Sequence, residues 1–250
     1  MSEANLRNAD LSGAILLNAN LEKTDFTNAT LIRTNLSEAN LGGATLSNTD
    51  LRGAILVGAN LTGVTFSGVR LGGVILSKAK LVNANLSEFN MAGIDFTSAE
   101  LSGSDLSKTN LSGSTLSLAD LDAAILTKSE LSGAWLNKTN LAGAQLNQAE
   151  LDGASLIGAS LVSANLSQSH LVGAILIGAD LSGAILEGAD LTGARLRASE
   201  LREQDLELDS TLANLNKLQR SQIIKDTNLS GIRFDDKTVW PEGFTPPSTP

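Results

Sequence analysis

The sequence predicts an all-β solenoid, a quadrilateral β-helix of about ten coils whose chain turns a corner every five residues. Three observations carry that prediction. Every fifth residue from Leu6 to Leu206 is apolar in one unbroken phase; of these 41 rungs 37 are Leu, the others being Phe26, Phe66, Met91 and Phe96. Two residues ahead of each rung sits a small side chain, Ala at 25 of the 41 positions and Ser or Thr at ten more. Glycine recurs every 20 residues, at Gly53, Gly73, Gly93, Gly113, Gly133, Gly153, Gly173 and Gly193.

Each observation defines one part of the repeat. Residues five apart drift around an α-helix and alternate across a flat strand, so neither element aims all the rungs one way. A chain that bends after each quintet does. The spacing of two places the small residue and the rung on the same side of a short extended segment, and pairing one small with one large side chain fills a narrow bore. The two residues after each rung read as a turn, as in Leu11-Ser12-Gly13-Ala14 and Leu181-Ser182-Gly183-Ala184. A type II turn needs φ > 0 at its third residue, which glycine adopts without steric cost. The 20-residue glycine register then groups four quintets into one coil.

The segments Ala39-Asn40-Leu41, Ala119-Asp120-Leu121 and Ala179-Asp180-Leu181-Ser182-Gly183 resemble the pentapeptide-repeat family. The resemblance covers about residues 3–206. It implies a right-handed quadrilateral β-helix with four repeats per coil, in agreement with the glycine register. A Trp240-Pro241-Glu242-Gly243-Phe244 ending is similar to that of cyanobacterial members.

Taken in order, residues 1–208 are expected to form the β-helix. Asn20, Asn40 and Asn60 fall 20 apart and are expected to stack as an asparagine ladder. Between residues 64 and 96 the small position is filled by Val64, Val69, Val74, Phe89 and Ile94, which predicts local widening or shifted side chains rather than a site. The stretch from Arg52 through Arg70, Lys78 and Lys80 meets no Asp or Glu until Glu88. After Gln204 the repeat stops. Asp209-Ser210 reads as a helix cap, followed by Leu212, Leu215, Leu218, Ile223 and Ile224; residues 209–226 are expected to hold a helix at 211–224, laid across the open end of the stack. Residues 227–236 fit a final half-coil in a new phase. The segment 237–250 reads as a Pro-rich tail, disordered from Thr245, with the Trp240 and Phe244 rings packed on the end.

Composition narrows the function. With no Cys and a single His, His170, thiolate chemistry and a His-rich metal site within one chain are excluded. Ser and Thr lie in turns with no activating base in register. No catalytic residue, cofactor or metal ligand is expected, and the chain is read as a non-enzyme. Stacked carboxylates (Glu130 with Glu150, Glu100 with Asp120, Asp180 with Glu200) read as solvated charge ahead of a weak cation site or a hydrolase. A net charge of −9 disfavours direct nucleic-acid binding, and no apolar run is long enough for a membrane span. Without a signal-like N-terminus, the expected location is cytoplasmic.

One side of the predicted rod is unusual. The outward position before each rung, taken every 20 residues from 15, reads Ile15, Asn35, Ile55, Ile75, Asp95, Thr115, Trp135, Ser155, Ile175, Arg195, with Leu17, Val57, Ile157 and Ile177 at its edge. Solvent-facing sheet surfaces are usually polar. Ile15, Ile55, Ile75, Trp135 and Ile175 are therefore the candidate protein-contact face. The favoured reading is a scaffold or interaction solenoid for an unknown protein partner, with an open coil end free to form a homodimer. The alternative, implied by the resemblance, is a DNA-mimicking binder of type II topoisomerase (gyrase).

Overall fold

The computed structural model describes residues 1–247. The residue before each rung forms a parallel β-bridge with the residue 20 positions on, as in Asn5 to Asp25 to Thr45 and Asn20 to Asn40 to Asn60. Four such positions per 20 residues make four flat sides. We number them from the N-terminus by their first bridging residue: first (Asn5), second (Asp10), third (Ile15) and fourth (Asn20). Three backbone hydrogen bonds join each quintet to the coil above. Leu6 N–H donates to the Asp25 carbonyl (2.8 Å), Asn8 N–H to Thr27 (3.0 Å) and Asp25 N–H to Ala4 (3.0 Å). Each coil thereby satisfies its main-chain polar groups on its neighbours.

The corner is a β-turn closed over the rung, as where Ala9 N–H donates to the Leu6 carbonyl at 3.1 Å. Its third residue has positive φ, +70° at Gly13 and +57° at Asn8. Among the described residues, twenty non-glycine residues hold this conformation, so glycine is preferred at the corner and not required. Asn and Asp at the bridging positions brace the turn from outside. Asn35 Oδ1, for example, accepts from Ser37 N–H (3.0 Å) and Oγ (2.7 Å). The expected asparagine ladder is therefore only partial. Asn60 Nδ2 donates to Asn40 Oδ1 at 2.9 Å, but Asn20 Oδ1 caps its own turn through Glu22 N–H.

Inside, the rungs stack. Leu56, Leu76, Phe96 and Leu116 are at most 1% exposed, and the bridges Ile55–Ile75–Asp95–Thr115 beside them hold them in register. Where Thr replaces Ala at the small position, its hydroxyl donates to a rung carbonyl of the preceding coil: Thr34 to Leu11 (2.8 Å), Thr49 to Phe26 (2.9 Å), Thr139 to Leu116 (2.8 Å). A buried hydroxyl is tolerated because it is bonded. At the N-terminal end Leu6, Leu11 and Leu16 are only half-buried.

Between Asn5 and Arg195 the ladders break at one level. On the first and second sides, the bridges Thr65–Asn85 and Arg70–Asn90 are missing, while the third and fourth sides keep Ile75–Asp95 and Lys80–Glu100. All five oversized residues at the small position, Val64, Val69, Val74, Phe89 and Ile94, border this gap. Extra volume in a bore of fixed cross-section forces neighbouring coils apart.

The quintet pattern runs to Leu206, but coil pairing leaves it at Leu196. Residues 198–226 form an insertion: a 3-10 turn (Ala198–Glu200), α1 (Glu203–Glu207), α2 (Ser210–Ala213) and α3 (Lys217–Ile223). Leu201 and Leu206 therefore leave the bore and pack in a separate cluster with Ile157 and Leu212. The sequence after Leu196 has lost the corner residues: Arg197-Ala198 and Arg202-Glu203 stand where polar-Gly pairs stood, and Gln204 occupies the small position. The expected single helix over 211–224 is two. Asn216 starts a new one, its side chain accepting from Gln219 N–H (2.9 Å) while Gln219 Oε1 accepts from Asn216 N–H (3.0 Å).

The β-helix then resumes. Asn228 pairs with Asp180, Arg233 with Ile185 and Val239 with Asp190, so the last coil reaches past the expected half-turn at 236 and continues onto the second side. Leu229, Phe234 and Trp240 take the rung positions. Phe234 meets Trp240 edge-on and Phe244 stacks on it, both with centroids 5.4 Å apart. These rings pack against the terminal core, and the helices lie elsewhere, along a flank. The last three residues of the expected disordered tail lie outside the described residues.

Replacing Leu136, fully buried mid-stack, by Ala is expected to destabilise the chain by about 2–5 kcal/mol. Urea unfolding followed by circular dichroism measures this; a loss under about 1 kcal/mol contradicts the packed bore.

Candidate protein-contact face

The third side carries the predicted apolar residues in one line, and the structure divides them into two groups. Ile15 is 79% exposed, Leu17 50% and Ile75 37%; Ile55 lies half-buried between them. Trp135 and Ile175, further along the line, are half-buried, and their neighbours Ile157 and Ile177 are fully buried. The difference is the insertion, which folds back along this side over the coils from Ser117 to Arg195. The C-terminal part of the face is thus a contact made within the chain. Ile175, like Leu201, Leu215, Ile223 and Ile224, packs against the buried cluster of Ile157, Leu206 and Leu212.

Polar groups fix the insertion at two points. Asp209, buried, accepts from Ser117 Oγ and Asn137 Nδ2, both at 2.6 Å, and its other oxygen caps α2 through Thr211 N–H (2.8 Å). Asn137 is itself held, its Oδ1 accepting from Ser155 Oγ (2.7 Å) and Ile157 N–H (2.9 Å). Asp205, also buried, pairs with Arg195 through both oxygens (2.5 and 3.1 Å) and with Arg202 (3.3 Å). Burial pushes the Asp205 carboxyl up, but the hydrogen bonds from Arg195 and Arg202 outweigh it and leave the group below the usual carboxylate range. Between flank and insertion lies a cavity of about 240 Å³ bordered by Trp135, Arg195, Asp205 and Leu208.

Backbone proximity completes the fit. A Cβ at Gly178 would lie 1.8 Å from the Ile223 carbonyl oxygen, and one at Gly158 would touch the Ile223 side chain at 3.3 Å. Sequence reasoning missed Ser117, Asn137, Asp205, Asp209 and these two glycines as docking residues. The legible signal was the pair Ile157 and Ile177, apolar at a turn position that is polar in most quintets.

The remaining candidates stay solvated. His170 is exposed between Glu150 and Asp190 on the second side, and Glu130 stacks beneath Glu150. Asp180 does not stack with Glu200: it pairs with Asn228, while Glu200 turns back to accept from Leu196 and Arg197 N–H. Among the described residues no three His, Asp or Glu side chains converge as a metal site would require, and no helix is long and apolar enough to cross a membrane.

A pentapeptide-repeat profile matches residues 4–197 in overlapping segments and stops where coil pairing is interrupted. The chain belongs to the pentapeptide-repeat family. Solved structures of the family share its right-handed β-helix. HetL, a pentapeptide-repeat protein involved in heterocyst differentiation regulation from the cyanobacterium Nostoc sp. strain PCC 7120, is 29% identical. That likeness covers 95% of this chain and 92% of HetL, with a TM-score of 0.54. QnrB1, a plasmid-mediated fluoroquinolone resistance protein, is 18% identical over 93% of this chain and 92% of its own, with a TM-score of 0.49. Rfr23 from the cyanobacterium Cyanothece 51142 is 29% identical over 54% of this chain and 63% of its own, with a TM-score of 0.23. No curated protein sequence matches the chain.

Two predictions concern the insertion. Gly178→Ala is expected to dislodge it, whereas Gly173→Ala, with open space around the added methyl, costs only about 1–2 kcal/mol of backbone strain. Limited proteolysis should cut the Gly178→Ala variant within 198–226 and spare the other. Because the folded-state pKa of Asp205 is depressed, its contribution is present above the unfolded value of 3.8 and is lost as pH falls through the lower folded value. Trp135 fluorescence in a Trp240→Phe background should therefore report detachment on acidification below about pH 4, and Asp205→Asn should remove that transition.

Proposed function

We propose that the chain is a non-enzymatic interaction solenoid that presents the exposed stretch of its third side, Ile15 with Leu17, Ile55 and Ile75, to a partner protein. The observation that carries this reading is the other half of the same line. There, Ile157 and Ile175 already receive apolar side chains of a helical segment supplied by the chain itself, among them Leu206 and Leu212. At strand spacing, the free stretch from Ile15 to Ile75 spans about 14 Å, the width of one docked helix or hairpin. HetL is involved in heterocyst differentiation regulation, and a regulatory role is the part of that description we extend to this chain; that the role is exercised by binding rests on the face itself. The helices of the insertion lie on a flank, and no observation favours the gyrase-directed reading over the first.

The triple variant Ile15→Ser, Ile55→Ser, Ile75→Ser tests the proposal against Ile125→Ser, a site on the first side about as exposed as Ile75. Surface changes of this kind shift stability by about 0.5 kcal/mol or less each. The triple variant is expected to lose at least ten-fold in partner capture from the native host, quantified by mass spectrometry, while Ile125→Ser retains it. Equal capture by all three proteins rejects the face.

A further inference from the structure

The interrupted coil has the properties of a slot. In neighbouring coils the N–H groups at equivalent positions are paired, as with Leu86 to Asp105 (2.8 Å), Gly93 to Ser112 (3.0 Å) and Asn110 to Phe89 (2.9 Å). Across the gap, the N–H groups of Gly63, Phe66, Gly68, Leu71, Gly73, Asn85, Asn90 and Asp95 make none of these inter-coil bonds. Both lips therefore carry a strand edge facing the other lip, with Thr65, Arg70, Asn85 and Asn90 exposed where most bridging residues are partly covered. Grooves of about 510 Å³ open on the first side and again on the second, and Phe89 borders both. The coils stay joined on the third and fourth sides, so the slot is open on two sides and held at the back.

Its charge is distinctive as well. Between residues 51 and 87 the chain carries Arg52, Arg70, Lys78 and Lys80 and no carboxylate, against a net charge of −9 for the whole. Arg52 and Arg70 line the second-side groove. Both are drawn to one buried carboxylate, Asp50, at 2.8 and 3.2 Å, and their side chains remain 55% and 64% exposed. Two guanidiniums on one carboxylate leave an uncompensated positive charge at the rim.

We propose that this slot docks an extended, acidic segment of a partner protein, which adds a strand between the lips and pairs with their free backbone groups. Strand addition supplies affinity through main-chain hydrogen bonds, and Arg52 and Arg70 select for carboxylates over amines on the incoming side chains. Because the slot rounds the corner between two sides, a segment that fills it bends once at its middle. The site is separate from the third-side face and stands or falls independently of it.

The test uses the full chain and a ten-residue peptide of valine alternating with glutamate, interrupted at its centre by Ser-Gly, together with the same peptide carrying lysine for glutamate. Fluorescence anisotropy reads binding, and hydrogen exchange reads the amides of residues 63–73 and 85–95. The acidic peptide is expected to bind and to slow exchange in those two segments alone. The lysine peptide should bind at least ten-fold more weakly, and Arg70→Ala should narrow that difference. Val64→Ala, Val69→Ala, Val74→Ala, Phe89→Ala and Ile94→Ala together restore the usual small residues. That variant is expected to close the slot, to protect the same amides without peptide, and to bind neither peptide. Phe89→Ala alone serves where the five-fold variant fails to fold. Absence of binding at millimolar peptide overturns the proposal, as does equal binding of the two peptides or undiminished binding by the closed variants. Amide protection that rises with protein concentration in the absence of peptide assigns the edges to a second copy of the chain and also overturns it.

Discussion

The cross-section of the bore governs this molecule. Each side of each coil delivers one large and one small side chain inward, and the backbone between consecutive corners is too short to deliver anything else. Leu on Ala fills that section, and the rungs from Leu21 to Leu61 are at most 1% exposed. Once the section is constant, coils stack at strand spacing and each main-chain group finds its partner one coil away. Sheet pairing here depends on side-chain volume: both missing bridges lie beside oversized small-position residues, although the third side keeps Ile75–Asp95 with Val74 and Ile94 in place.

The interruption beside residues 63–74 shows the dependence from the other direction. The chemistry there is still apolar and the corner glycines are in place, Gly63, Gly68 and Gly73 all with φ near +70°. The small position has grown, and Phe66, Met91 and Phe96 replace Leu among the rungs beside it. Val64, Val69 and Val74 on one lip and Phe89 and Ile94 on the other remove a run of hydrogen bonds, although every turn is intact. Overpacking of this size ordinarily costs about 1–3 kcal/mol. The flanking coils absorb it because contacts in a solenoid extend only to nearest neighbours.

Most of the fold was legible because the repeat states its geometry many times over: the five-residue phase, the small-large pair and the 20-residue register each recur until chance is excluded. The widening at 64–96 was legible for the same reason, as a departure from a known volume. The end of the repeat was not. Leu201 and Leu206 keep the phase and still leave the bore, since phase alone does not hold a quintet in place when its corner reads Arg202-Glu203 and its small position is Gln204. The break into two helices was hidden in Asn216, whose side chain starts a helix as readily as it ends one. The docking residues were least visible. Asn137 and Ser117 look like ordinary turn residues until Asp209 arrives from 72 and 92 positions away.

Where the insertion lies follows from what each surface has to satisfy. The terminal coil asks for apolar cover over open rungs, and Phe234, Trp240 and Phe244 supply it from the resumed repeat. The helices are then free to seek the apolar strip at Ile157, Ile175 and Ile177. They can approach it closely because its corners are glycine: the Ile223 carbonyl fits against Gly178 only in the absence of a Cβ. Further toward the N-terminus the strip continues through Ile75 and Ile55 to Ile15, but the corners change. Glu38 and Asn18 now stand at the positions equivalent to Gly178 and Gly158, while Gly58 is crowded by the Glu38 side chain. An incoming helix cannot settle as deeply there as α3 does at Gly178. A partner on this stretch must therefore engage side chains rather than backbone, which makes Ile15 and Ile75 the residues on which its grip depends.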